Sequence, residues 1–432
     1  MHTPGAEVGQ QVLKAFLKER SPLGPMRVMF ARLGSFFQIP LPFFHPFVVA
    51  GPQAVRSVLV TQRDKLLWRN PDPVTDVLRC GVLVTDGAEH DHYRKLMEPS
   101  LSAGILSSYA NMMRYQTMRV ASLWQDGQQV DLLVEGRKIA LLIVMDALFG
   151  VDIWDDLPRL WTPILKTIQY ISPGPWIIWR NIPRPGYAKH LRALDDYLNK
   201  IIRARRSQPG ERDDLLQHLI AAGLNDERIR DQMLTMLIAG HDTFTALLAW
   251  TFVLLGQNPL VHAQLVAALD QVEPGTYPHL LDEVIKESLR LYPPIHIGNR
   301  QVVEEINFEE GAVPAGERLF YSIYLTQRDP QNWHRPDDFC PERFAPGRKQ
   351  PSFAYIPFGG GPRACPGAAF GLAEARIVLT CLLQTFNFEV LNVSKIRVHM
   401  GATLEPRPGV LMRIRRRESL AKFCSNHLVI NP

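Results

Sequence analysis

The chain has 432 residues, of which 46% are hydrophobic and 21% charged, with a net charge of +5. A globular chain of this length buries roughly three quarters of its unfolded surface, so a small scaffold stapled by disulfides or metals is excluded, and so is a disordered chain. The charge excess is too small for a dedicated nucleic-acid binder, while 34 prolines, above the usual share of about 5%, predict many turns.

No repeat or Ser/Gly linker divides the chain, so residues 1–432 are predicted to fold as one unit, with 416–432 a tail. The N-terminus lacks a secretory pattern, because its apolar stretch Phe36 to Val49 is interrupted by three prolines; a cytoplasmic location is expected. Phe47 to Ala50 is predicted to be extended, followed by a Gly51-Pro52 turn and a helix from about Gln53. Further helices are predicted at 89–97, 103–125, 138–149 and 187–206. Between the last two, Pro158, Pro163, Pro173, Pro175, Pro183 and Pro185 are interleaved with Trp161, Tyr170, Trp176 and Trp179. This reads as turn-rich chain forming a lid, a membrane-touching surface, or aromatics packed on the core.

The longest predicted helix runs from about Glu227 to Gln257 and stops before Pro259, spanning ~45 Å at ~1.5 Å per residue. Gly240-His241-Asp242-Thr243 sits near its middle, and an ionised Asp there would cost about 2.5 to 3.5 kcal/mol in a bilayer. A buried central helix is therefore expected, with no transmembrane segment. Helices follow at 260–272 and 278–291, then short strands from Ile295 to Leu325, an amphipathic helix from Ala368 to Phe386, and a β-like region over Thr403 to Arg415. The fold class is mainly α with a smaller β-rich region. Arg413, Arg415, Arg416 and Arg417 read as a solvated terminal face.

The five cysteines, Cys80, Cys340, Cys365, Cys381 and Cys424, form no C-x-x-C pair, so reduced thiols are expected. Four read as small hydrophobes. Cys365 differs, because Phe358-Gly359-Gly360-Gly361-Pro362-Arg363-Ala364-Cys365-Pro366-Gly367 is a backbone loop that delivers a thiol just ahead of a helix N-terminus, where thiolate is favoured. The run fits F-x-x-G-x-R-x-C-x-G at Phe358, Gly361, Arg363, Cys365 and Gly367, a coincidence expected by chance on the order of 10⁻⁴.

On these residues the sequence resembles a cytochrome P-450, a haem-thiolate monooxygenase of the soluble bacterial type, from roughly Phe47 to Gly409. Ala239-Gly240-His241-Asp242-Thr243 resembles the oxygen-binding [A/G]-G-x-[D/E]-T motif. Glu287-Ser288-Leu289-Arg290 resembles E-x-x-R, and Pro341-Glu342-Arg343-Phe344 supplies the later Arg. The resemblance implies a cytochrome P-450 fold, with haem b buried between the long helix and the cysteine loop and Cys365 as the iron ligand. It implies Asp242 and Thr243 as the proton-delivering pair, Gly240 as the site of a helix distortion opening a groove over the haem, and Glu287, Arg290 and Arg343 as a structural lock. His90, Arg94, Arg300 and Arg363 would hold the propionates, with Ala239, Gly240, Phe358, Gly361 and Gly367 against the cofactor. Gln327 stands where His is common in the family, and Arg328-Asp329-Pro330 continues the family pattern.

The implied activity is insertion of one oxygen atom from O2 into a lipophilic substrate. Ile295, Ile297 and Leu404 are the candidate contacts, and residues 70–85, 161–187 and Thr403 supply further pocket. Since 67 residues follow Cys365, too few for a fused reductase, electrons are expected from a ferredoxin or flavodoxin with its reductase. That donor would dock on a basic face at Lys95, Arg348 and Lys349 of a monomer. A peroxide-using or isomerising relative, or a haem-binding sensor, are the alternatives.

Overall fold

A computed structural model describes residues 5–40, 44–68, 73–173, 186–208, 212–273 and 275–417. The chain opens with α1 (Ala6–Glu19) and α2 (Leu23–Leu33), strands β1 (Phe36–Gln38) and β2 (Phe47–Val49), α3 (Pro52–Arg56), β3 (Leu66–Leu67) and α4 (Pro73–Leu78). The helical body follows: α5 (Gly87–Leu101), α6 (Leu106–Ala121), the short β4 (Gln129–Asp131), α7 (Leu132–Phe149), α8 (Leu157–Ile171), α9 (Tyr187–Ser207), α10 (Leu215–Ala221), α11 (Asp226–Gln257), α12 (Pro259–Leu269) and α13 (His279–Leu291). Strands β5 (Ile297–Val302), β6 (Ile306–Phe308), β7 (Gly311–Val313) and β8 (Arg318–Ser322) lead to α14 (Ile323–Thr326) and α15 (Ala368–Thr385). The last elements are β9 (Phe386–Val390), β10 (Arg397–Met400), β11 (Leu404–Arg407) and β12 (Leu411–Arg416).

The central helix has clear start and stop signals. Asn225 caps α11 by accepting the Arg228 N–H at 2.9 Å, Asp226 and Glu227 sit at the positive end of its dipole, and Pro259 follows its end. Its apolar length could cross a membrane, as could that of α15, but 83% of the α11 window is buried inside the fold. Helix α7, capped by Asp131 through the Leu133 N–H at 3.0 Å, lies along α11. Gly240 permits the close approach, because a Cβ there would fall 2.9 Å from Val144 Cγ2.

The largest sheet has the order β1-β2-β8-β5-β3, with β2 parallel to β8 (Val48 opposite Phe320) and β5 antiparallel to β8 (Arg300 opposite Leu319). Gly298, opposite Tyr321, leaves room for that ring, since a Cβ would fall 2.0 Å from it. The ring in turn lies under the Arg300 guanidinium at 5.2 Å. A second sheet runs β4-β12-β9.

Two sequence expectations are corrected, and two helices were overlooked. The proline-rich stretch begins with a helix, α8: Pro158 occupies its first turn and Pro163 one interior position, while Leu157, Leu160, Ile164, Ile168 and Ile171 bury a helical stripe that outweighs the lost hydrogen bond. The expected stretch also contains Pro175, Trp176, Trp179, Pro183 and Pro185, which lie outside the described residues. The terminal arginines are not simply solvated, because Arg413 pairs with Glu389 at 2.7 Å and Arg417 Nη1 with Asp270 at 3.0 Å. Helices α1 and α2 were missed, although α1 spaces Val8, Val12 and Ala15, and Leu13, Phe16 and Leu17, at helical intervals.

Candidate active site

The cysteine loop is shaped by its backbone. Gly359 and Gly361 have φ of +70° and +65°, values that favour glycine, and a Cβ on Gly361 would meet the Leu59 carbonyl at 2.4 Å. The Cys365 N–H donates to the Phe358 carbonyl at 2.8 Å and the Ala364 N–H to that of Gly361 at 3.0 Å, which fixes the thiol three residues before α15. Its side chain is accessible, yet protein crowds it on most sides, as at the floor of a recess. Burial pushes the Cys365 thiol up, and the Gly367 N–H and Arg94 pull it down without prevailing. The helix-end effect expected from sequence is thus outweighed, and a cation at the sulfur is what would complete ionisation.

Around this thiol the fold gathers basic groups from three elements: His90 and Arg94 from α5, Arg300 from β5, and Arg363 from the loop. Burial and the repulsion of Arg300 lower Arg363, and Asp86 opposes them. His90 is lowered by burial, with Arg363 and Arg94 adding to the effect against Asp91, whose Oδ1 lies 2.9 Å from Nδ1. Arg363 bonds to the Thr85 carbonyl and to Asp86 Oδ1, the latter at 2.7 Å. Buried Arg300 donates to the Asn299 carbonyl at 2.7 Å. Among the described residues, Asp86 is the one carboxylate paired with any of these three arginines. Such an excess of partly buried cations calls for an anion.

Opposing requirements meet on α11. From Met233 to Leu255 every residue is buried except Ala239, Gly240 and Thr243, which share one face at i, i+1 and i+4. Helical structure runs unbroken through Gly240. The Thr243 hydroxyl donates back to the Ala239 carbonyl at 2.7 Å, and Gly240 serves packing against α7. Asp242 projects to another side, where it accepts from Arg137 Nη2 at 2.8 Å and from Thr403 Oγ1 at 3.0 Å. The same Arg137 nitrogen donates to Glu405 at 2.7 Å, and Glu405 pairs with Arg407 at 3.0 Å. Arg137 and Glu405 were missed from sequence, although an Arg inside the apolar run Leu132–Phe149 is itself a signal of a buried partner. His241 is wholly buried, bonds through Nδ1 to the Leu237 carbonyl at 2.5 Å, and is pushed down to about 3 by burial and by Arg137.

Glu287 and Arg290 are both 0% exposed and pair through two bonds of 2.7 and 2.8 Å. Arg290 spends its remaining donors on the carbonyls of Gln327 (2.9 Å), Pro336 (2.7 Å) and Asp338 (3.0 Å). Arg343 reaches Glu287 at 3.3 Å and the Cys340 N–H does so at 2.9 Å. Gln327 donates to the Leu289 and Arg290 carbonyls and accepts the Ile356 N–H at 2.9 Å, which links α13 to the segment entering the cysteine loop.

The candidate substrate contacts do not form one set. Ile295 is exposed, Ile297 is half-buried on β5, and Leu404 is fully enclosed beside Ala50, Tyr324 and Leu325, so its side chain cannot touch a substrate as placed. Its carbonyl instead accepts from Trp250 Nε1 at 2.9 Å. Trp161 is half-buried, and Lys95, Arg348 and Lys349 are exposed.

The donor set suits a prosthetic group that brings its own metal and carboxylates. Among the described residues no three His, Cys, Asp or Glu gather to hold a bare ion, whereas a single accessible thiol lies beside arginines in need of anions. The fold is shared with retinoic acid-bound cyanobacterial CYP120A1, which superposes with a TM-score of 0.84 at 24% identity, covering 94% of this chain and 96% of that one. Residues 6–414 match the family model of cytochrome P450, and the chain belongs to that family. Cyclooctatin synthase of Streptomyces melanosporofaciens is 28% identical over 389 residues, 83% of each chain. Pentalenene oxygenase of Streptomyces avermitilis is 28% identical over 391 residues, covering 84% of this chain and 86% of the relative. The protein is a cytochrome P450 monooxygenase with a haem-thiolate cofactor and O2 as co-substrate.

Proposed function

We propose that the enzyme hydroxylates or epoxidises a lipophilic, terpenoid-like substrate, as a cytoplasmic monomer supplied with electrons by a separate ferredoxin or flavodoxin and its reductase. The observation that carries this reading is the convergence of an accessible Cys365 with His90, Arg94, Arg300 and Arg363. Cys365 would hold the iron of haem b and the four basic groups its propionates, with Phe358, Gly361 and Gly367 shaping the loop beneath. When bound, the cofactor supplies O2 activation promoted by the electron-rich thiolate. The partly accessible face formed by Ala239, Gly240 and Thr243 would line the oxygen side. Thr243, once released from the Ala239 carbonyl, would present a hydroxyl donor on that face. Asp242 supplies protons from the side held by Arg137 and Thr403. Glu287, Arg290 and Arg343 hold the protein behind the loop and take no part in chemistry. The names of the two Streptomyces relatives support a terpenoid substrate, and exposed Lys95, Arg348 and Lys349 suit an acidic electron donor.

The test is the spectrum of the reduced protein with carbon monoxide, wild type beside Cys365→Ala. The red-shifted thiolate Soret band is expected in wild type and lost in the variant; its absence from wild type would overturn the cysteine assignment. Turnover with peroxide that exceeds turnover with the reduced donor would favour the peroxide-using alternative.

A further inference from the structure

Helix α1 carries two apolar stripes, and the fold uses one of them. Val8, Val12 and Ala15 are half-buried, and Val12 packs against the cluster of Leu23, Met26 and Met29 on α2. Leu13, Phe16 and Leu17, at i, i+3 and i+4, form the other stripe and are 58%, 46% and 65% exposed. Among the described residues no other helix presents three large apolar side chains in this way, so this is a patch rather than the scattered exposure normal for a soluble surface.

The flank of the patch is basic. Lys14 and Lys18 are exposed and follow each other at i, i+4 beside Leu13 and Leu17. Arg20 closes the helix with a left-handed φ of 51°, and it too is exposed. Of the two nearby acids, Glu19 is neutralised by Arg27 at 2.5 Å, and Glu7 lies a turn and more toward the helix start. Apolar side chains bordered by lysines are the arrangement of a helix lying in a lipid headgroup layer, where long basic side chains reach phosphates while the apolar face enters the acyl boundary. A protein partner is the poorer match, because lysine is depleted from protein interfaces.

We propose that α1 docks the enzyme reversibly on an anionic membrane surface through Leu13, Phe16 and Leu17, with Lys14 and Lys18 contacting the headgroups. This docking is independent of the haem assignments, and it would place the enzyme where a lipophilic substrate partitions.

The test is co-sedimentation of the full-length holoprotein with phosphatidylcholine vesicles, with and without phosphatidylglycerol. Binding is expected with the anionic vesicles and should weaken with added salt. Leu13→Ser/Phe16→Ser/Leu17→Ser should weaken it about tenfold or more. Lys14→Gln/Lys18→Gln should weaken it about 25-fold, at roughly fivefold per lysine. Both variants should keep the wild-type thermal unfolding curve and carbon monoxide spectrum, since the altered side chains face outward. Equal sedimentation with and without anionic vesicles, or binding undiminished in both variants, would overturn the proposal. So would a wild-type dimer in sedimentation velocity that the serine variant dissociates, which would make the patch an interface between copies.

Discussion

Two buried ionic networks flank the site, and they are finished differently. Around Glu287 and Arg290 the network is closed: all five guanidinium donors of Arg290 are used, both partners are fully enclosed, and the acceptors are mostly backbone carbonyls that cannot move without unfolding. Around Asp242 it is open-ended: Arg137 divides one nitrogen between Asp242 and Glu405, Thr403 adds a hydroxyl, and Glu405 leads to the exposed Arg407. A closed network favours one geometry and suits scaffolding. An open one leaves its carboxylate partners that can be exchanged, which suits a group that must bind and release a proton.

Four substitutions or titrations would sharpen or break that contrast. The largest effect is expected for Arg290→Met, which leaves Glu287 enclosed with one cation, Arg343 at 3.3 Å, and the Cys340 N–H at 2.9 Å. A loss of about 3 to 5 kcal/mol is expected in denaturant unfolding, or no folded protein at all; a loss below about 1 kcal/mol would show that the closed network is not structural. Asp242→Asn should cut product formation about 100-fold, with electrons diverted to peroxide, while the carbon monoxide spectrum stays normal. Unchanged product yield per electron would remove Asp242 from proton delivery.

His241 gives the next effect. It is neutral in the fold and protonatable once unfolded, so its contribution is complete above pH ~6.5 and falls as pH drops toward about 3, at ~1.4 kcal/mol per pH unit. His296, lowered to about 4 by burial, acts in the same direction. Urea unfolding of His241→Gln should therefore show a shallower acid limb than wild type; identical slopes would mean His241 is not held neutral. Smallest is Gly240→Ala, whose added methyl meets Val144 at 2.9 Å. About 1 to 2 kcal/mol should be lost and largely recovered by adding Val144→Ala, and a double-mutant cycle without coupling would contradict the packing role.

Much of this was accessible from sequence because it was local. The ten residues around Cys365 combine a motif with backbone requirements that only glycine meets easily, and the caps of α11 lie beside it in the chain. The partners of Asp242 were not accessible in the same way: Arg137 is 105 residues away and Thr403 161, so only folding joins them. Helix α8 was hidden because prolines argue for turns, whereas one sits where a helix tolerates it and the other is overruled by a buried stripe. The substrate contact assigned to Leu404 failed for a related reason, since its place in the chain says nothing about which way its side chain turns.

Strand β11 and the residue before it have a consequence for redesign. Thr403 and Glu405 hold the Asp242 assembly, and the Leu404 carbonyl between them anchors Trp250 on α11. Libraries that vary this strand to widen substrate scope would also retune proton supply. Variants selected there for a new product should be screened for wasted reducing equivalents as well as for selectivity.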